Sequence, residues 1–135
     1  MDNAVLPFHA TASGLAVLAF ADDKLKQLAF DQLEKYTEST VTDSDEIESL
    51  LMKVKSSGFS EVDNGFEEGV SGTALPLFDS SNKVAGAVAI ASVSNRVDDS
   101  LKLLIKRELV AAARSISKSW GGQIPLSLEN AWACV

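Results

Sequence analysis

Cysteine is almost missing from this 135-residue chain, and the single one, Cys134, sits one residue from the C-terminus. It can neither close a disulfide within the chain nor build a multi-thiolate metal site. Proline is scarce as well, at three residues, and no stretch is of low complexity, which sets the chain apart from disordered sequences. No apolar run approaches the roughly 18 residues needed to span a bilayer, and Met1-Asp2-Asn3 lacks the basic region of a signal peptide. The expectation is a cytoplasmic protein with no membrane contact. Basic residues are outnumbered, 12 against 19 acidic, for a formal net charge of −7. DNA affinity rests largely on Lys and Arg replacing phosphate counterions, so this chain alone should not hold DNA. The short basic stretch from Lys102 to Arg107 is interleaved with Leu103, Leu104 and Ile105, which suits an amphipathic helix better than a phosphate track.

Histidine also occurs once, as His9. A catalytic base there needs a nucleophile and an orienting acid, and Ser13 nearby does not complete a triad, so His9 is read as bonding backbone at a helix start. The acidic groups Asp43-Asp45-Glu46 and Glu67-Glu68 lack calcium-loop spacing and read as caps and turns. No metal, no cofactor and no catalytic residue is assigned.

What is present is 46% hydrophobic residues in periodic order, enough for one domain with one core. After Pro7, small hydroxyl residues can cap a helix starting near Thr11 and continuing through Leu15, Leu18 and Ala19. Asp22-Asp23 opens a second helix carrying Leu25, Leu28, Ala29 and Leu33. Asp43, with Glu46 three residues on, caps a third, in which Ile47, Leu50, Leu51 and Val54 recur at i, i+3, i+4 and i+7 until Gly58 stops it. Thr73 to Phe78 then reads as extended, Asp79 to Asn82 as a turn, and Val84 to Ala91 as an antiparallel partner strand, this hairpin forming the centre of the sheet. Asp98 or Asp99 caps a long helix with Leu101, Ile105, Leu109, Ala112, Ile116 and Trp120 on one face, ending at Gly121-Gly122. Residues 123–135 show no clear period and are read as a tail to a domain of residues 1–122; Trp132 is left unassigned. The class is α+β, with about three strands. So narrow a sheet under four helices leaves apolar surface without an obvious cover, which implies missing upstream strands or a partner chain.

Several segments in order resemble a known family. Leu6-Pro7-Phe8-His9-Ala10-Thr11-Ala12-Ser13-Gly14 is close to LPLHATALGK; Gly58-Phe59 with Phe66-Glu67-Glu68-Gly69-Val70 is close to GY…EF..GV; Ala74-Leu75-Pro76-Leu77 and Ser94-Asn95-Arg96-Val97 follow at the expected spacing. On these the chain resembles the C-terminal effector domain of IclR-type transcriptional regulators from about Leu6 to Gly121. The resemblance implies a GAF/PAS-like antiparallel sheet flanked by helices, here without the strands that precede the first motif in the family. It also implies binding of a small metabolite, often an organic or aromatic acid, that changes the dimer or tetramer geometry of attached winged helix-turn-helix domains. No winged helix is visible, so the chain looks like a portion of a longer regulator that meets DNA only through a missing N-terminal domain.

In the family the effector lies between the start of the first-motif helix and the sheet, and a helix N-terminus suits a carboxylate. The corresponding positions are Leu6 as apolar wall and Ala12, Ser13 and Gly14 as rim. Val62 stands where an acidic residue is common, with Asp63 beside it; Gly72 stands where a cysteine is usual, after Ser71 in place of an arginine; Ala89 and Ala91 stand where relatives carry serines. A buried polar ligand needs hydrogen-bonding partners, so the site is more apolar than usual, reduced to the helix N-terminus, or unused. The leading reading is therefore a non-catalytic sensor of a small organic acid or apolar metabolite. The rival is a ligand-free oligomerisation module with a degenerate pocket, and an enzyme ranks last.

Overall fold

The computed structural model describes residues 8–135 apart from Ser94, Arg96 and Cys134. Five helices and one three-stranded antiparallel sheet follow in the order α1 (Ala12–Phe20), α2 (Asp23–Phe30), α3 (Ser44–Ser57), β1 (Ser60–Asp63), β2 (Val70–Phe78), β3 (Val84–Val93), α4 (Asp99–Ser119) and α5 (Leu126–Trp132). The architecture is α+β.

Most helix starts are fixed by side-chain oxygens that satisfy otherwise orphaned amides. Thr11 Oγ1 accepts from the Gly14 amide at 3.0 Å, Asp22 Oδ1 from Leu25 at 2.9 Å, Asp43 Oδ1 from Asp45 at 3.0 Å and Asp98 Oδ1 from Leu101 at 2.8 Å. Gly58 ends α3 with φ +82°, a left-handed conformation that favours glycine. The second helix stops at Phe30, so Leu33 lies beyond it, although it still packs on the cluster formed by Leu15, Leu18, Ile47 and Leu51.

The strand order is β1-β2-β3. The expected hairpin is present, but it is not the centre of the sheet: β1 pairs on the far side of β2, so β2 is central and β3 is an edge among the described residues. Helix α1 contacts one face and α4 the other. Alternation along the strands gives the faces different characters. Toward α4 point Leu75, Leu77 and Val88, packed with Ile105, Leu109, Val110 and Ala113. The α1 face carries small residues: Ala74 packs with Ala12 and Ala16, and Ala87 adds to the same cluster.

The long helix buries Ile105, Leu109, Ala113 and Ser117, an i, i+4 row that drifts about 40° per step around the helix. Ala112 and Ile116 are consequently only half-buried, and Trp120, expected on the core stripe, is 45% exposed where the chain leaves the helix. The C-terminal segment is no loose tail. Its helix α5 places Leu128 and Trp132 in the same core cluster as Leu75 and Leu109. Seven residues are too few for helical periodicity to stand out, which is why the sequence did not reveal it.

Candidate functional site

A cavity of about 440 Å³ opens between the start of α1, the α1 face of the sheet and the turn joining β1 to β2. The sheet register explains why there is room: Val62, Gly72 and Ala91 stand side by side across the three strands, and Ala74 and Ala89 occupy the equivalent places one step along. With only hydrogen or methyl side chains at Gly72, Ala89 and Ala91, the floor leaves space that larger side chains on β3 would fill. Gly72 is also where α1 comes near, since a Cβ there would meet the Ala12 methyl at 3.3 Å.

The rim is built by two interlocked turns. Asn64, at φ +59°, bends the chain after β1 and accepts the Gly69 amide on its Oδ1 at 2.7 Å, closing residues 64–69 into a tight turn. Gly65 lies hard against the first-motif segment: a Cβ there would come within 2.6 Å of the Ala10 carbonyl oxygen. A second segment clamps this turn from outside. The Thr37 hydroxyl donates to the Asn64 carbonyl and the Thr40 hydroxyl to the Gly65 carbonyl, the latter at 2.6 Å, while Thr40 Oγ1 also accepts the Tyr36 and Thr37 amides. Phe66 packs edge-on against Tyr36 with centroids 4.8 Å apart, and Tyr36 lies 5.9 Å from the ring of His9.

His9 is buried, and its Nε2 is 2.6 Å from the Glu34 carbonyl oxygen. It bonds backbone as expected, across 25 residues rather than within the helix start. The Tyr36 phenol is held above its ordinary 10.0, first by loss of hydration and then by the neighbouring Glu34 carboxylate.

At the upper end of the cavity the first i to i−4 bond of α1 is Leu15 N–H to Thr11 C=O, and Thr11 Oγ1 takes the Gly14 amide. The Ala12 and Ser13 amides precede these bonds, so they are the groups left to meet a ligand or water. Chemically the site offers backbone donors, the Thr11 and Ser13 hydroxyls, mainly apolar walls and one carboxylate, Glu67. Among the described residues no group of three or more His, Cys, Asp or Glu could hold a metal ion.

Of the positions singled out in the sequence, the fold brings Ala12, Ser13, Val62, Gly72, Ala89 and Ala91 to this one cavity. Gly14 does not line it; it is buried one turn in, where a Cβ would run into the Phe8 backbone. Asp63 is also outside, exposed on the opposite side of β1 from Val62, because adjacent strand residues point to opposite faces. Leu6 lies outside the described residues. Sequence reasoning did not count as site residues Ala10 and Thr11, which precede α1, Gly65, Phe66 and Glu67, which the turn supplies, or the strand residues Val70 and Ile90. The Asn64-Gly65 pair was the available signal, since that dipeptide favours a tight turn between strands.

Residues 4–118 match the family model described as bacterial transcriptional regulator IclR C-terminal. The chain belongs to the IclR family. It is similar to the HTH-type transcriptional regulator XynR of Escherichia coli, 25% identical over 118 residues that make up 86% of this chain and 47% of XynR. An IclR-type regulator from Silicibacter superimposes with a TM-score of 0.86 at 34% identity, covering 94% of this chain and 50% of that one. The inducer-binding domain of PobR from Acinetobacter, solved as a double mutant in complex with 3-hydroxybenzoic acid, shares the fold with a TM-score of 0.69 at 22% identity, covering 88% of this chain and 67% of that one. The IclR chain spans 34–47% of the length of the curated relatives it matches, which are transcription regulators rather than enzymes.

Proposed function

We infer that this chain is the effector-binding and oligomerisation domain of an IclR-type regulator. In this reading it is non-catalytic, acts in the cytoplasm, and modulates DNA binding by a winged helix-turn-helix domain outside this sequence. The effector is a small organic acid or apolar metabolite, and subunits pair as a dimer or tetramer whose geometry it biases. A ligand shifts such an equilibrium only by its differential affinity for the two arrangements.

The observation that carries the reading is the 440 Å³ cavity, within the usual range for small-molecule sites, bounded by the open amides of α1 on one side and small residues on the other. That PobR's inducer-binding domain was solved with an aromatic acid supports it by likeness of fold. A second reading, a ligand-free oligomerisation module, draws on Gly72, Ala89 and Ala91, which give the floor no side-chain hydrogen-bonding group.

A thermal-shift screen against organic, aromatic and short aliphatic acids, with gel filtration alongside, separates the two. A ligand of the native state alone adds about RT ln(1 + [L]/Kd), so at a hundred times Kd the gain is roughly 2.7 kcal/mol. Stabilisation by one chemical class supports the sensor; a folded oligomer that responds to none supports the oligomerisation module.

A further inference from the structure

We propose that the effector carries a cationic amino group beside an apolar body, and that Glu67 and Phe66 hold that group. The proposal rests on the effector-cavity reading and concerns the chemistry of the ligand.

Glu67 is the one charged side chain among the described residues that line the cavity. None of the ion pairs among the described residues uses it; the paired glutamates are Glu38, Glu48, Glu61 and Glu129. A ligand carrying only negative charge would face this carboxylate across a mostly apolar space, inside a chain of net charge −7, and repulsion would count against it. A cation there is attracted instead. The adjacent Phe66 adds a second feature that suits the same group. Phe66 is 41% exposed and lines the cavity, with Tyr36 packed against it at a steep angle, and an aromatic ring with open surface suits cation–π contact.

Both residues reach the cavity because they lie in a turn, where consecutive side chains need not alternate between faces. That turn is held in place, with Asn64 Oδ1 on the Gly69 amide and Thr40 Oγ1 on the Gly65 carbonyl. The Phe66 ring is positioned in its turn by Tyr36, and Tyr36 by His9. An exposed glutamate alone identifies nothing. A glutamate without an ion-pair partner, beside an open aromatic ring, on a fixed turn over an apolar cavity, is a combination suited to an ammonium group.

Calorimetric titration of the 135-residue chain with leucine and phenylalanine, against their deaminated counterparts 4-methylpentanoate and 3-phenylpropionate, tests this. The expected result is that at least one amino acid binds about tenfold or more tightly than its counterpart, in keeping with an ion pair and a cation–π contact acting together. E67Q should bring that preference below about threefold while E67D keeps most of it, and F66L should weaken the amino acid about tenfold while F66Y does not. Equal or tighter binding of the deaminated acids, unchanged by E67Q, overturns the proposal. If that binding disappears in A91L, which fills the cavity from an exposed strand position, the effector reading stands and only the amino group is wrong. Absence of binding by all four compounds also overturns the proposal, and the wider acid screen then decides the effector reading separately.

Discussion

The indole Nε1–H of Trp132 donates to the carbonyl oxygen of Gly58 at 2.8 Å, joining α5 to the end of α3 across 74 residues. Gly58 is required there twice over, by its positive φ and because a Cβ would sit 2.8 Å from the Trp132 ring. With Trp132 almost wholly buried, W132A should cost about 3–5 kcal/mol in urea unfolding. W132F, which keeps most of the packing but leaves the Gly58 carbonyl unpaired, should cost about 1–3 kcal/mol. Removing residues 123–135 should leave no cooperative transition. A truncated chain that unfolds with native-like cooperativity would contradict this account of α5.

Thr40 is the knot of the outer clamp, donating to Gly65 and accepting two amides from a buried position. T40V should lower stability by about 1–3 kcal/mol, because three backbone groups lose a partner. The loss should be local first: hydrogen exchange at the Tyr36 and Thr37 amides should accelerate before that of β2. Uniform acceleration across the chain would show that the clamp is not a separate unit.

Tyr36 is the only tyrosine, so ultraviolet titration reads it directly. Its folded-state pKa lies above the ordinary 10.0, meaning that the fold favours the protonated phenol. Its contribution is therefore fully present below pH 10.0 and is lost as pH rises through the folded value. A single transition with a midpoint above 10.0 is expected, and Y36F should flatten stability across the same window. A midpoint at or below 10.0 would remove the hydration argument.

Ser60 is fully buried, and its hydroxyl has no hydrogen-bond partner among the described residues. S60A deletes a desolvated polar group without a large cavity, so it should be neutral or stabilising by up to about 1 kcal/mol in the unfolding midpoint. A clear destabilisation would reveal a partner for the hydroxyl.

Ala91 is exposed on edge strand β3 yet lines the cavity. A91L should leave stability within about 0.5 kcal/mol of the parent while abolishing any ligand-induced thermal shift. Retention of the full shift would place the ligand elsewhere.

The helices were legible because their signals are local: Thr11, Asp22, Asp43 and Asp98 each cap through a side chain three residues or fewer from its target. The β2–β3 hairpin announced itself through β-branched residues and a polar turn. The order of strands did not, since β1 is four residues long and its place beside β2 is set by tertiary pairing. At the site, the family resemblance reached the residues on α1 and the strands. It misjudged Asp63, whose orientation depends on strand alternation, and read Phe66 and Glu67 as a motif and a turn without bringing them to the site, because the position of that turn depends on Thr37 and Thr40 some 25 residues away.

The unequal faces of the sheet bear on how such a domain could change what it recognises. Leu75, Leu77 and Val88 share their strands with Gly72, Ala74, Ala89 and Ala91, yet the two sets never meet, because the backbone lies between them. Alternate codons of β2 and β3 thus write two nearly independent texts, one for folding and one for the shape of the chamber. At Ala89 and Ala91 added bulk has empty space to grow into before it touches the core. New specificities can be reached there by single substitutions that the remainder of the molecule scarcely registers.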